Sequence, residues 1–170
     1  MNEMPTVKLR ALEPEDLDTL YRIENDNDLW NVGVTNVPYS RFALHEYIAS
    51  ATGDIYVDKQ VRLMIIGPDD DVVGIVDLCN FNPCHQRAEV GIVIEKPHRG
   101  RGYAREALRQ LTDYAHRVLH IHQLYALVSV DNTYCLQLFD HLGFVREALL
   151  HDWLFDGDQY HDAVLLAIFL

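Results

Sequence analysis

The spacing of apolar and polar positions changes several times along the chain, and each change marks an element. Residues 7–12 read as an extended stretch. Glu13-Pro14-Glu15-Asp16 then places a proline and acids where a helix N-terminus favours them, and Leu17, Leu20, Tyr21 and Ile23 form the apolar stripe of that helix. Residues 31–40, with Gly33 and Pro38, read as a loop, and "RFALHEYIASA" reads as a second short helix. "VRLMIIG", the turn "PDDD" and "VVGIVDLCNF" make a hairpin. In "AEVGIVIE", Val90, Ile92 and Ile94 share one face of a strand and Glu89, Gly91 and Val93 the other. A glycine-bearing turn follows, after which Ala104, Ala107, Leu108, Leu111 and Ala115 keep helical spacing. "LYALVSV" is a near-continuous apolar strand of the kind buried on both faces. "NTYCLQLFDHLGF" is a short helix ended by Gly143, and two last strands, "VREALLHDWLF" and "YHDAVLLAIF", are joined at Asp156-Gly157.

The predicted order is strand, two helices, three strands, helix, strand, helix, two strands. Helices interspersed with hairpins give an α+β domain on a mixed, mostly antiparallel sheet. With 170 residues and 49% hydrophobic content, a single domain over residues 1–170 is expected, with a core that needs no staples. Cys79, Cys84 and Cys135 are odd in number and lack metal-type spacing, so they are expected as free thiols in a reducing compartment. The first residues lack a signal-peptide pattern. The longest apolar run, "AVLLAIFL", is too short for a bilayer. A cytoplasmic protein with no membrane partner is the expectation.

The formal net charge of −12 argues against nucleic acid as a partner, because phosphate neutralisation dominates such binding. It suits a cationic substrate, and equally suits solubility alone. Against that background, five of the fourteen Lys and Arg residues (Lys96, Arg99, Arg101, Arg105, Arg109) gather around Gly100 and Gly102 at the start of the long helix. Backbone N–H groups and the dipole at a helix N-terminus attract an anion. Glycine lets the backbone approach it, and arginines add charge-assisted hydrogen bonds. The same turn also suits an ordinary basic helix start. Neither the Walker nor the dinucleotide pattern is present, since Arg105 occupies the third glycine position of the latter.

"RGRGYA", Arg99 to Ala104, resembles the R/Q-x-x-G-x-G/A signature of the GNAT superfamily of acetyl-CoA-dependent N-acetyltransferases, and "VDNTYCLQLFDHLGF" resembles its fifth-strand end and following helix. The element order resembles the whole GNAT fold: about seven strands and four helices, with the fourth and fifth strands splayed into a V. Within the superfamily, "HQRAEVGIVI", "LHIHQLY" and "DGDQYHD" look most like spermidine/diamine acetyltransferases, with the branch acting on ribosomal-protein N-termini nearly as similar.

The resemblance implies that the N–H groups of Arg99, Gly100, Arg101, Gly102, Tyr103 and Ala104 hold the CoA pyrophosphate. It implies that the pantetheine arm pairs with backbone at Ile92, Val93 and Ile94. A bulge near Gly91 is expected to help part the strands, and a backbone N–H there to polarise the thioester carbonyl. Asn132 resembles the asparagine that contacts the CoA arm, and is also a good helix N-cap. The acceptor is expected to be a primary amine, polyamine-like or a peptide N-terminus, attacking directly. Such an amine is only about one part in a thousand neutral at pH 7. A base is therefore useful, with Glu89 the first candidate and Asp77 the second. Both acids also suit a solvated strand face, a pairing with Arg87, or simple attraction of the cation.

Two departures stand out. The family tyrosine often cast as general acid aligns with Phe139, which has no proton to give, and Tyr134 lies elsewhere on the helix. A water or another tyrosine could substitute, since a thiol of reference pKa near 8.5 leaves without much help; otherwise the chain is a weakly active acyl-CoA sensor. The acids that polyamine enzymes carry before "PYE" are replaced by Asn36 and Val37, with Glu24, Asp26 and Asp28 nearby. No metal is expected. His116, His120 and His122 read as cations at a helix C-terminus. Trp30 and Trp153 suit either an acceptor cleft or the core. A homodimer or larger homo-oligomer is expected by resemblance alone.

Overall fold

A computed structural model of the chain describes residues 5–26 and 37–170. Its strands are β1 (Lys8–Ala11), β2 (Val61–Ile66), β3 (Val72–Asn82), β4 (Arg87–Ile94), β5 (Gln123–Ser129), β6 (Val145–Phe155) and β7 (Tyr160–Phe169). They form one sheet in the order β1-β2-β3-β4-β5-β7-β6. Every neighbouring pair is antiparallel except β4 and β5, which are joined by a helical crossover. The helices are α1 (Leu17–Glu24), α2 (Arg41–Ser50), α3 (Ile55–Asp58), α4 (Tyr103–Arg117) and α5 (Thr133–His141). Among the described residues this makes five helices, not the expected four. The addition, α3, is a single turn capped by the Asp54 side chain and closed by Lys59 at φ 58°, too short to show a period.

Alternation sends the two faces of the sheet into separate cores. Leu78, Val90, Leu124 and Leu166 face Leu108, Leu111 and Ala115 of α4 and Leu136 and Phe139 of α5. On the opposite face, Met64 and Ile75 meet Leu20 and Ile23 of α1 and Leu44 of α2. Among the described residues no helix is long and apolar enough to cross a membrane. Cys79, Cys84 and Cys135 are free thiols.

The parallel β4–β5 ladder is short, running from Arg87↔Gln123 to Glu89↔Tyr125 and no further. Beyond it β4 stays paired with β3 as far as Ile94↔Gly74, and β5 stays paired with β7 as far as Ser129↔Ala163. Each strand is held by its other neighbour, so the sheet opens into the expected V. The expected bulge near Gly91 is absent. Register runs unbroken from Cys79↔Glu89 to Gly74↔Ile94, and the irregularity sits between Cys79 and Asn82 instead, where Asn80 has φ 51°. The parting comes from divided pairing and needs no inserted residue. The last hairpin is also wider than the expected two-residue turn. Residues 156–159 connect β6 to β7, with the Asp156 carboxylate accepting the N–H groups of Asp158 and Gln159.

The first helix is tied to β1 by ion pairing. Arg10 grips the buried Asp16 carboxylate through both Nη atoms, at 2.6 and 2.8 Å, and Asp16 also accepts the Glu13 N–H. The Arg10 hydrogen bond holds the Asp16 carboxyl below its ordinary 3.8, against the opposing effect of burial. A depressed carboxylate stabilises the fold above its unfolded pKa, and that contribution is lost as pH falls through the folded value. Asp16→Asn is therefore expected to cost about 1–2 kcal/mol at pH 7. In urea titrations the gap from the parent chain should narrow as pH falls below the ordinary carboxylate value. A gap that does not narrow with falling pH would assign the loss to packing instead.

Candidate active site

The turn after β4 leaves a run of its backbone donors open. Residues 96–98 form one 3-10 turn, and Gly102 caps α4 at φ 84° with Gly100 at φ 75°. Both values lie in the left-handed region open to glycine. The first intrahelical bond of α4 is Glu106 N–H to the Gly102 carbonyl. Among the described residues, the N–H groups of Gly100, Arg101, Gly102, Tyr103, Ala104 and Arg105 have no acceptor. A Cβ on Gly100 would meet nothing within 4 Å, whereas one on Gly102 would meet Pro5 Cδ at 3.1 Å. Arg101 and Arg105 are exposed, and among the described residues neither makes an ion pair. Arg99 is spent differently. Its Nε donates to the Ile94 carbonyl at 2.9 Å and its N–H reaches the Lys96 carbonyl at 3.4 Å. Unpaired N–H donors, open space and free guanidiniums fit a dianion such as a pyrophosphate.

Strand parity assigns the open edge of β4. Glu95, opposite Val73, donates its N–H to that residue's carbonyl at 3.0 Å. In an antiparallel ladder the bonded pairs alternate, so Val93, Gly91 and Glu89 also turn their backbone groups to β3. Val90, Ile92 and Ile94 turn theirs into the V. Of the three strand residues singled out for the cofactor arm, Ile92 and Ile94 thus present backbone groups to an added chain, while those of Val93 are engaged with Ile75. Asn132 caps α5, its Oδ1 accepting the Cys135 N–H at 3.1 Å. Its amide NH2 has no partner among the described residues, so the cap leaves a donor available.

The floor of the V carries the acids. Glu89 occupies its apex, beside Cys79 on one strand and Tyr125 on the other, with Asn80 Nδ2 donating to Glu89 Oε2 at 2.8 Å. Asp77 faces Gly91 one step along, where a Cβ would lie 3.6 Å from its Oδ2. Arg62 of β2 holds both Asp77 oxygens, at 2.7 and 3.2 Å, and Glu24 Oε1 at 2.6 Å, over the Tyr47 ring at 5.5 Å. Burial is the largest single influence on the Arg62 guanidinium and opposes its charge, but the charge and hydrogen bonds of Asp77 together with Glu24 hold it well above its ordinary pKa. The Cys79 thiol is pushed up to about 12 by burial and then by Glu89 and Asp77. The floor is therefore a region of negative potential.

Comparison with known proteins settles the family. The family described as "Acetyltransferase (GNAT) domain" matches residues 6–145. The chain belongs to the GNAT acetyltransferase family. It is similar to the spermidine N(1)-acetyltransferase of Escherichia coli K12, at 31% identity over 96% of this chain and 86% of that protein. The ribosomal-protein-serine acetyltransferase of the same organism is 22% identical over 95% and 92%. Among solved structures, spermidine N-acetyltransferase from Vibrio cholerae in complex with CoA and spermine superposes with a TM-score of 0.86. That match has 29% identity and covers 96% of this chain and 95% of the other.

The GNAT chain differs from expectation in its side chains more than in its fold. Phe139 is 1% exposed, and its ring packs edge-on against Phe144 at 4.8 Å, so that position is core. Tyr134 is 87% exposed. Trp153 is exposed on edge strand β6 and belongs to neither the core nor the V. Trp30, Asn36 and Asp28 lie outside the described residues. Glu24, read as a solvated helix end or a source of negative charge, is paired with Arg62. The Arg62 link was missed because an arginine in "VRLMIIG" carries no periodic signal; only the Arg62↔Asp77 register brings the charges together. Tyr125 likewise sits in an apolar run of the sequence, and only the Glu89↔Tyr125 register brings it to the acids.

Proposed function

We propose that this acetyltransferase moves acetyl from acetyl-CoA to a primary amine by direct attack, with a polyamine or diamine the favoured acceptor. Acetyl-CoA, when bound, supplies an acetyl group already activated as a thioester. The unpaired N–H groups of Gly100 to Ala104, with Arg101 and Arg105, receive its phosphates. Arg99 anchors the end of β4, and Ile92, Ile94 and the Asn132 amide receive the arm, with Val93 holding the strand in place. A β4 N–H facing the V, from Val90 or Ile92, polarises the carbonyl. Glu89 takes the proton of the attacking amine. Asp77, held by Arg62, contributes negative potential and is the second candidate for the proton. The observation that carries this reading is the acid-floored V with an anion receptor at its wide end. The exposed apolar side chains Leu149, Trp153 and Phe155 on β6 support self-association as a dimer or larger.

Release of free thiol from acetyl-CoA, measured with spermidine, spermine, short diamines, aminoglycosides and short peptides, tests it. Turnover is expected with the polyamines and diamines. Turnover confined to peptides would favour a protein N-terminal acceptor, as the ribosomal-protein relative suggests. CoA binding without turnover on any amine would favour an acyl-CoA sensor, the reading that the apolar Phe139 supports.

A further inference from the structure

The apex of the V holds a hydroxyl that the mechanism above does not use. β4 and β5 carry only two hydroxyl side chains, Tyr125 and Ser129. Ser129 lies at the wide end, its Oγ accepting the Asp131 N–H. Tyr125 is the register partner of Glu89 at the last paired position before the strands part. Residues aligned across neighbouring strands project from the same face of a sheet, so the phenol and the carboxylate stand side by side where the V closes. The carboxylate is oriented from its other side by Asn80. From Ile94, beside the anion receptor, to Glu89 is five residues of strand, about 17 Å. An extended arm of about that length, anchored at Gly100–Ala104, would end against this pair.

We propose that Tyr125 is the catalytic proton donor, in the role that Phe139 cannot fill, working as a pair with Glu89. This rests on the acetyl-transfer reading. The attacking nitrogen bonds to the acyl carbon as the carbon–sulfur bond breaks, and Glu89 accepts the proton of that nitrogen. The Tyr125 hydroxyl gives its proton to the departing sulfur, and the protonated Glu89 then returns a proton to the phenolate. One proton passes from nitrogen to sulfur, and both side chains end as they began. The groups around the phenol are consistent with a hydroxyl kept protonated. Burial first, then Glu89 and Cys79, raise the Tyr125 pKa above its ordinary 10, with Arg87 opposing. From β7 the neighbour is uncharged Ala167.

Two measurements test the pair, one without any ligand. In the unliganded protein carrying 13C-labelled tyrosine, the Tyr125 signal, assigned by its loss in Tyr125→Phe, is expected to titrate above the ordinary tyrosine range. It should move down by a resolvable amount in Glu89→Gln. An unchanged titration in Glu89→Gln would overturn the pairing whatever the activity. In steady-state assays, Tyr125→Phe is expected to lose roughly a hundredfold in kcat, with CoA affinity by calorimetry and amine KM within threefold of the parent. A kcat within threefold of the parent would overturn the donor role while leaving acetyl transfer intact. A parent chain inactive on every amine, yet showing the coupled titration, would overturn both acetyl transfer and the donor role, leaving the pairing itself established.

Discussion

Gly100→Val is expected to weaken CoA binding by at least a hundredfold while the chain stays folded. The substitution puts a branched side chain at φ 75°, where an L residue is strained by about 1–2 kcal/mol. Nothing in the protein lies within 4 Å of the new Cβ, so the strain is local and the core is untouched. The side chain instead enters the open space at this turn, where a phosphate held by the unpaired N–H groups must come within hydrogen-bonding distance. Two or three charge-assisted bonds lost at about 1.5–3 kcal/mol each exceed a hundredfold in affinity. Gly102→Val tests the same surface less cleanly, because its Cβ would also press on Pro5 and so disturb the segment leading into β1. Calorimetric titration with CoA, alongside thermal denaturation, separates the two effects. CoA affinity unchanged in a folded Gly100→Val protein would remove the turn from the cofactor site.

The second large effect is expected at Glu89. Glu89→Gln keeps the shape of the side chain and its contact with Asn80 while removing the carboxylate. If Glu89 takes the amine proton, kcat/KM at pH 7 should fall by about 10²–10³, and the deficit should shrink as pH rises. The sign follows from the acceptor. The neutral fraction of an amine of pKa near 10.4 grows about a hundredfold between pH 7 and pH 9, so less of the rate then depends on a protein base. A deficit of constant size across that range would instead make Glu89 an electrostatic anchor for the cation. That outcome would move attention to Asp77, although both Asp77 oxygens are held by Arg62, an arrangement better suited to a fixed charge than to a travelling proton.

Local pattern carried the parts of this protein that depend on short stretches of chain. The alternation of β4, the apolar runs of β2, β3, β6 and β7, the helical spacing from Ala104 to Ala115 and the stop at Gly143 follow from steric and hydrophobic rules acting over a few residues. The glycines of the anion turn were legible for the same reason. Positive φ and a helix start are local requirements, and Gly100 and Gly102 meet them. The one-turn helix α3 was not legible, since four residues cannot display a period. Nor was the cause of the V. No residue at Gly91 marks it, because it arises from how pairing is divided between β3 and β7.

The chemistry of the floor was decided by contacts between segments far apart in the chain. Arg62 meets Glu24 across 38 positions and Asp77 across 15, and Tyr125 meets Glu89 only because a helical crossover returns β5 alongside β4. The sequence by itself determined most of the elements and where a glycine turn leaves backbone N–H groups open at a helix start, since those depend on backbone conformation and on residues a few positions apart. Only the tertiary structure decided which acid is locked to an arginine, which is held at the apex by Asn80, and which tyrosine stands beside it. Register between strands sets those neighbours, and it is a property of the assembled sheet.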